Sequence, residues 1–371
     1  MPVALFPDDR GVARPRSRGR RIGLALIIVV ILGTLGFTFV PAPYVIEEPG
    51  PVFNTIGSVQ IGAKTLPLID IPAKPTYPTA GSLDMLTVDL LGSPDGSPSW
   101  LQVAQAWLDP SKALVPMTEV YPPGTTVQQS NEESQTEMAD SQQDAVAAAL
   151  SHLGYPIVAT LKAGQVLKGS PAAGQLKASD VIVSANGTKV DSLESLHKVI
   201  VRNGASTPVQ LVIRRGGVES TVAITPKLST GADPAPYIGI VPTNTYTFPF
   251  QVKIQLENVG GPSAGQMLAL GIIDKLTPGK LNGGANVAGT GTIDRAGTIG
   301  AIGGIRQKMY GALGKGARYF LAPASNCNEV VGHVPNGLTV FAVKTLDDSL
   351  KALSAIKAGS GTASLPTCTA K

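Results

Sequence analysis

The sequence predicts an α+β protein with a β-rich unit in its middle, preceded by one membrane-spanning helix. Three observations predict it. Residues 22–40 form an uncharged apolar run. Helix-patterned segments at 138–153 and 264–276 share the chain with apolar strand-like runs. Between them lies a block of short alternating segments around Asn186-Gly187. At 371 residues the chain exceeds one typical domain and can bury a sizeable core.

The apolar run comes first. At about 1.5 Å per residue it reaches about 28 Å, enough to cross a bilayer core. Arg14, Arg16, Arg18, Arg20 and Arg21 precede it and, by the positive-inside rule, hold the N-terminus in the cytoplasm. The expected layout is a cytoplasmic basic arm over residues 1–21, a transmembrane helix over 22–40, and everything downstream outside the cytoplasm. Removing the six Arg and two Asp of residues 1–40 leaves 24 basic and 24 acidic residues. The basic balance therefore belongs to the arm, which argues against a nucleic-acid surface. A cleaved signal peptide is the rival reading, but its apolar stretch is usually shorter, about 7–15 residues. The prolines of Val40-Pro41-Ala42-Pro43 also sit awkwardly at a cleavage site.

Residues 41–60, with Pro-Gly-Pro at 49–51, read as an extended connector. Leu83, Met85, Leu86, Val88, Leu90 and Leu91 suit a buried strand. Residues 97–109 resist classification. Met138, Ala145, Ala149 and Leu153 line one side of a helix that Gly154 ends. In the central block, Asp180-Val181-Ile182-Val183 leads into Asn186-Gly187, a pair that tolerates positive φ and favours a tight hairpin. Leu193, Leu196, Val199 and Ile200 mark a short amphipathic helix. Val209, Leu211 and Ile213, then Val222 and Ile224 after Gly216-Gly217, alternate as strands.

The chemistry concentrates in Gly260-Gly261-Pro262-Ser263-Ala264-Gly265 and in Gly303-Gly304-Ile305-Arg306-Gln307-Lys308. A serine hydroxyl becomes a good nucleophile when a base removes its proton, and lysine serves only when neutral. Burial lowers the pKa of a lysine. Glycines let the backbone approach a substrate closely, and a helix N-terminus at Ser263 favours developing negative charge. Taken alone, Ser263 reads as a helix cap and Lys308 as a surface lysine. Their joint occurrence, 45 residues apart with Thr290-Gly291-Thr292-Ile293 between them, points to a serine–lysine hydrolase. Gly261-Pro262-Ser263-Ala264-Gly265 also fits the G-x-S-x-G elbow of α/β-hydrolases. That esterase alternative would need His333 with Asp294 or Asp274, and the β–α alternation expected before an elbow is missing.

These motifs resemble the proteolytic domain of Lon proteases, with its GPSAG-like loop, TGxI segment and GG-[LI]-[KR]-x-K motif. The resemblance implies Ser263 as nucleophile, Lys308 as general base, Thr290 as the residue orienting the dyad, and Gly261 with Ser263 at the oxyanion site. Two positions depart from the pattern: Thr292 stands where an acidic residue is usual, and Gly260 where Asp is common. The central block, with Gly169-Ser170-Pro171-Ala172, Leu176, Asp180 and Asn186-Gly187, resembles a bacterial PDZ domain, which implies binding of an extended peptide as an added strand and leaves open whether that peptide is a C-terminal tail. Tyr237-Ile238-Gly239-Ile240 is the candidate for its carboxylate-gripping loop. In Lon domains a strand like 82–88 and a helix like 138–153 precede the serine loop closely. The PDZ-like unit is therefore expected as an insertion: protease residues 41–153, PDZ 155–230, and a catalytic part at 236–371, with a linker at 231–236. Lon domains commonly form rings, so the resemblance also admits a homo-oligomer.

No G-x-x-x-x-G-K-[ST] loop occurs in the sequence, so an ATP-driven motor is not expected. No cofactor or metal is expected either. Cys327 and Cys368, both on the side expected to be oxidising, suggest one disulfide. The expectation is thus an anchored, ATP-independent endopeptidase acting on unfolded or flexible extracytoplasmic polypeptides. A non-catalytic PDZ adaptor on the same fold is the alternative.

Overall fold

The computed structural model describes residues 18–230 and 234–369. The expected basic arm lies outside these residues up to position 17, as do Gly231, Ala232 and Asp233 of the expected linker. The chain divides into two units, residues 1–47 with 90–124, and residues 48–89 with 125–371.

In the smaller unit, the helix Arg18–Phe39 carries the uncharged window Ile22–Phe39, none of it buried. By length and composition it qualifies as a membrane span. Tyr44 to Glu47 pair antiparallel with Ala113–Pro116, Tyr44 opposite Pro116 and Glu47 opposite Ala113. Residues 97–109, unclassified from sequence, contain the helix Trp100–Trp107, whose start is closed by a reciprocal Ser99–Gln102 capping box.

The larger unit is built on a sheet ordered Thr339–Val343, Tyr319–Pro323, Asn286–Gly289, Ser82–Leu91 and then Tyr44–Asn54 from residue 48 onward. Its first four strands run parallel. The segment expected as a connector is thus a strand. Its prolines lie within residues 48–54, the unit's outermost strand, the place in a sheet where proline is tolerated. Alternation sorts the side chains onto two faces. Leu83, Met85, Val287, Leu321 and Phe341 join the core beneath the helices Val127–His152 and Gly265–Leu276. Leu86, Ala288, Phe320, Ala322 and Val340 join the core beneath the helix Ile305–Gly314. Strands from before and after the small domain in sequence therefore share one sheet.

The small domain closes its own core around Leu161, Ile182, Leu196, Leu211 and Ile213. Asn186 (φ 46°) and Gly187 (φ 75°) make the expected tight hairpin, with Ala185 opposite Thr188. Buried Asp180 is bound by the Arg215 guanidinium at 2.6 Å, which holds its carboxyl below the usual range. The domain extends past its expected end at 230. Ile240–Thr247 pairs antiparallel with Val158–Val166 across eight positions and forms an outer strand of the sheet. The prolines and glycines at 231–239 look like a domain boundary in sequence, yet the chain returns to the sheet before leaving it.

Candidate active site

Sites in open α/β sheets form at the carboxyl ends of parallel strands, where the connecting segments converge. Thr290 directly follows the strand Asn286–Gly289, and Ala324 to Asn326 directly follow Tyr319–Pro323. The serine loop joins them there. Its Ser263 carbonyl accepts the Thr290 hydroxyl at 3.1 Å and the Gly291 N–H at 3.0 Å. Gln266 N–H returns a bond to the Gly291 carbonyl at 3.1 Å. Two glycines permit this close approach. A Cβ at Gly289 would lie 2.6 Å from Met267 Sδ, and one at Gly265 would lie 2.9 Å from Ile293 Cγ2.

The long helix clamps the loop from the other side through residues that sequence reading missed. Ser134 accepts the Gly261 N–H on its carbonyl at 2.8 Å, and the Ser141 hydroxyl donates to the Pro262 carbonyl at 2.9 Å. Ser134, Met138, Ser141 and Ala145 recur at the spacing of one helical face, which is the signal available in sequence. The departure at Gly260 has a steric cause: a Cβ there would lie 2.8 Å from Ser134 Cβ.

Ser263 does not cap its helix. The cap position is Ala264, which makes no side-chain cap bond. Of the two positions expected at the oxyanion site, Gly261 provides the φ of 80° that bends the loop, but its N–H already serves Ser134. The N–H groups of Ser263 and Ala264 have no acceptor among the described residues. They are donors of the kind that helix N-termini leave open.

Lys308 is buried, with 4% of its surface exposed, between Ile305 and Met309 on the helix Ile305–Gly314. That helix starts from Gly304 at φ 66°, where a Cβ would lie 2.6 Å from Val88 Cγ2. The second glycine of the lysine motif thus lets the helix sit against the sheet. Just before it, Ala301, Ile302 and Gly303 line a cleft of about 340 Å³ together with Ser263, Asn326 and Glu329. Asn326, 2% exposed and also missed in sequence, positions this wall. It accepts the Ile302 N–H at 3.0 Å and donates to the Ile302 carbonyl and to Glu329, both at 2.8 Å. Cys327 beside it is joined to Cys368. His333, which the esterase alternative requires, does not line the cleft, and its ring bonds the Val331 carbonyl.

A second cleft, about 570 Å³, lies where the small domain meets the rest of the larger unit, lined by Ser192, Leu193, His197, Asn244, Tyr246 and Arg295 among others. Two polar contacts cross this junction. Arg295, on the turn after Thr290-Gly291-Thr292-Ile293, pairs with Asp191 at 3.1 Å. Tyr246 donates to Asp144 at 2.7 Å. Burial pushes the Asp144 carboxyl up to about 6 despite that bond, and raises the Tyr246 phenol as well. In the candidate carboxylate loop, the carbonyls of Ile238 and Gly239 accept the N–H groups of Ala172 and Leu167, which fastens it to Gly169-Ser170-Pro171-Ala172. Among the described residues no cluster of three or more His, Cys, Asp or Glu is arranged to hold a metal ion.

A serine on a glycine-bent loop at a helix N-terminus, facing a cleft, is the arrangement of a serine hydrolase. Residues 258–355 match the family model of the Lon protease (S16) C-terminal proteolytic domain, and residues 135–225 match the PDZ domain. The chain therefore carries a region like the Lon C-terminal proteolytic domain together with a region like a PDZ domain. Lon protease of Buchnera aphidicola is 33% identical over 94 residues, covering 24% of this chain and 12% of that protein. Lon protease of Azospirillum brasilense is 36% identical over 94 residues, covering 24% and 11%. Lon protease 2 of Herpetosiphon aurantiacus reaches 40% over 93 residues, again 24% and 11%. The chain thus spans about an eighth or less of the length of these relatives. Among solved structures, the PDZ domain of an SdrC-like protein from Listeria innocua is similar at 25% identity, covering 22% of this chain and 92% of that one with a TM-score of 0.20.

Proposed function

We propose that the chain is a membrane-anchored serine endopeptidase that cuts unfolded or flexible extracytoplasmic polypeptides without an ATP-driven motor. Ser263 is the nucleophile and Lys308 the general base. The observation that carries this reading is the pairing of a Lon-type serine loop, open to a cleft, with a lysine motif whose lysine is buried. Burial acts in the direction the chemistry needs, because it disfavours an ammonium.

In the proposed cycle, Lys308 Nζ takes the Ser263 Oγ proton as Oγ bonds to the scissile carbonyl carbon. The carbonyl oxygen becomes an oxyanion facing the Ser263 and Ala264 N–H groups. Collapse breaks the C–N bond, and the amine leaves with the proton from Lys308. Water then attacks the acyl-enzyme, giving its proton to Lys308, which returns it to Ser263 as the acid departs. Thr290 acts as a positioning residue through the Ser263 carbonyl. The PDZ domain offers the outer strand Ile240–Thr247 beside the helix Leu193–Asn203, the setting for an added peptide strand.

The test compares wild type, Ser263→Ala and Lys308→Ala on an unfolded protein substrate, with a fluorophosphonate probe of Ser263. Cleavage and labelling by wild type that rise toward alkaline pH, and loss in both variants, are expected. Cleavage that survives Ser263→Ala overturns the assignment of the nucleophile. No cleavage or labelling by wild type leaves the PDZ adaptor as the reading.

A further inference from the structure

The chain has two tryptophans, and both lie on one helix, Trp100–Trp107, at its first and last positions. Residues 96–108 contain no charged side chain. Val103 and Ala106 turn inward, while Trp107 and Leu108 are each 78% exposed. Such exposure of an indole and a leucine side by side is unfavourable in water and favourable in an apolar medium.

The neighbour of this helix is the membrane-span candidate. Backbone bonds tie the two where the span ends: Trp100 N–H donates to the Val40 carbonyl at 3.3 Å, and Ala42 N–H to the Pro98 carbonyl at 2.8 Å. Between them runs a groove of about 580 Å³ whose walls include Val30, Gly33 and Phe37 on one side and Trp100, Ala104 and Trp107 on the other. Val30 stands nine residues before Phe39, about 13 Å down the helix. That is close to one leaflet's share, about 15 Å, of a bilayer hydrocarbon core. A groove floored by the middle of a spanning helix cannot face water while that helix is in place. Tyr44 packs edge-on against Trp100, with centroids 6.0 Å apart, adding a further aromatic at the span's end. Tyr and Trp favour this level of a membrane.

We propose that the helix Trp100–Trp107 is embedded in the leaflet at the Phe39 end of the span, with lipid acyl chains filling the groove. The anchor would then be a two-helix device, which ties the folded part of the smaller unit to the membrane surface. This inference rests on the membrane-span reading. The occupant is lipid rather than a second copy, because both walls are continuous with the surface that the span itself exposes to lipid.

Intrinsic fluorescence tests it directly, since the tryptophans report on this helix alone. The full chain is reconstituted in phosphatidylcholine vesicles with or without brominated acyl chains, as wild type and as Trp100→Phe and Trp107→Phe. Blue-shifted emission, loss of most of it in bromolipid and insensitivity to aqueous iodide are expected for each remaining indole. Emission that iodide quenches and bromolipid spares overturns the inference, as does emission insensitive to both, the result for a groove filled by another protein chain. Alkaline carbonate extraction separates the two readings. A chain washed off the vesicles sinks the span and this inference together. A chain that stays, with unquenched indoles, sinks this inference alone.

Discussion

The Ser263 site and the PDZ domain are assembled in opposite ways. The site draws Ser134 and Ser141, the serine loop, Thr290-Gly291, Ala301 to Gly303 and Asn326 from segments far apart in sequence. Backbone bonds and glycine contacts too close for a Cβ hold them. The PDZ domain is one continuous stretch with a closed core, joined to the rest across its junction by polar contacts such as Arg295–Asp191 and Tyr246–Asp144. Chemistry requires a preorganised, rigid setting. A recognition module needs to hold a peptide and can be docked loosely. Perturbing one region should therefore spare the other, except at their junction.

The largest expected effect is catalytic. Ser263→Ala or Lys308→Met should lower turnover by at least about 10³-fold, while PDZ peptide affinity stays unchanged by titration calorimetry. A parallel loss of peptide affinity would break the separation. Next comes the Cys327–Cys368 bond. Cys368→Ser is expected to destabilise the protease half by about 2–4 kcal/mol in denaturant titration and to leave the PDZ transition in place. Equal shifts of both transitions would show one cooperative unit.

A matched glycine pair sharpens the contrast. Gly265→Ala should cost about 1–3 kcal/mol and also reduce activity, because its Cβ meets Ile293 and lies 3.1 Å from Ser141 Oγ. Gly187→Ala has open space and φ 75°, so only backbone strain of about 1–2 kcal/mol applies, confined to the PDZ transition. Reversed costs, read from the two unfolding midpoints, would contradict the packing argument.

The smallest effect probes the junction. The Asp144 carboxyl rises from 3.8 to about 6 on folding, so folding takes up a proton between those values. Stability contributed by the protonated form is present below about pH 4 and falls as pH rises through 6. Asp144→Asn keeps an acceptor for Tyr246 and should flatten this slope, gaining about 1–2 kcal/mol at pH 7.5 once partial solvent screening is allowed for. Urea unfolding at a series of pH values measures it. A variant less stable at pH 7.5 would mean that the ionised carboxylate is favoured in the fold.

Much of this was readable from short-range pattern. Ser263, Thr290 and Lys308 lie in motifs whose glycines announce unusual backbone, and Asn186-Gly187 announced its hairpin. An apolar run marked Ser82–Leu91, and alternating apolar positions marked Val209–Arg215. Other features carried no such mark. Pro49 and Pro51 argued against a strand, yet an outermost strand accommodates them. Ile240–Thr247 follows what looks like a linker and joins the PDZ sheet through partners some 80 residues earlier. Ser134, Ser141 and Asn326 are ordinary polar residues until the carbonyls and N–H groups they serve come within reach.

Local pattern was enough to mark the apolar run, the strand and helix periods, and the residue types able to do serine–lysine chemistry, because each depends on neighbours within a few positions. Folding in three dimensions settled which wall faces Ser263, which N–H groups stay open beside it, and that Lys308 is withdrawn from water. Those outcomes depend on long-range packing and hydrogen-bond partners, and no stretch of sequence contains its own solvent exposure.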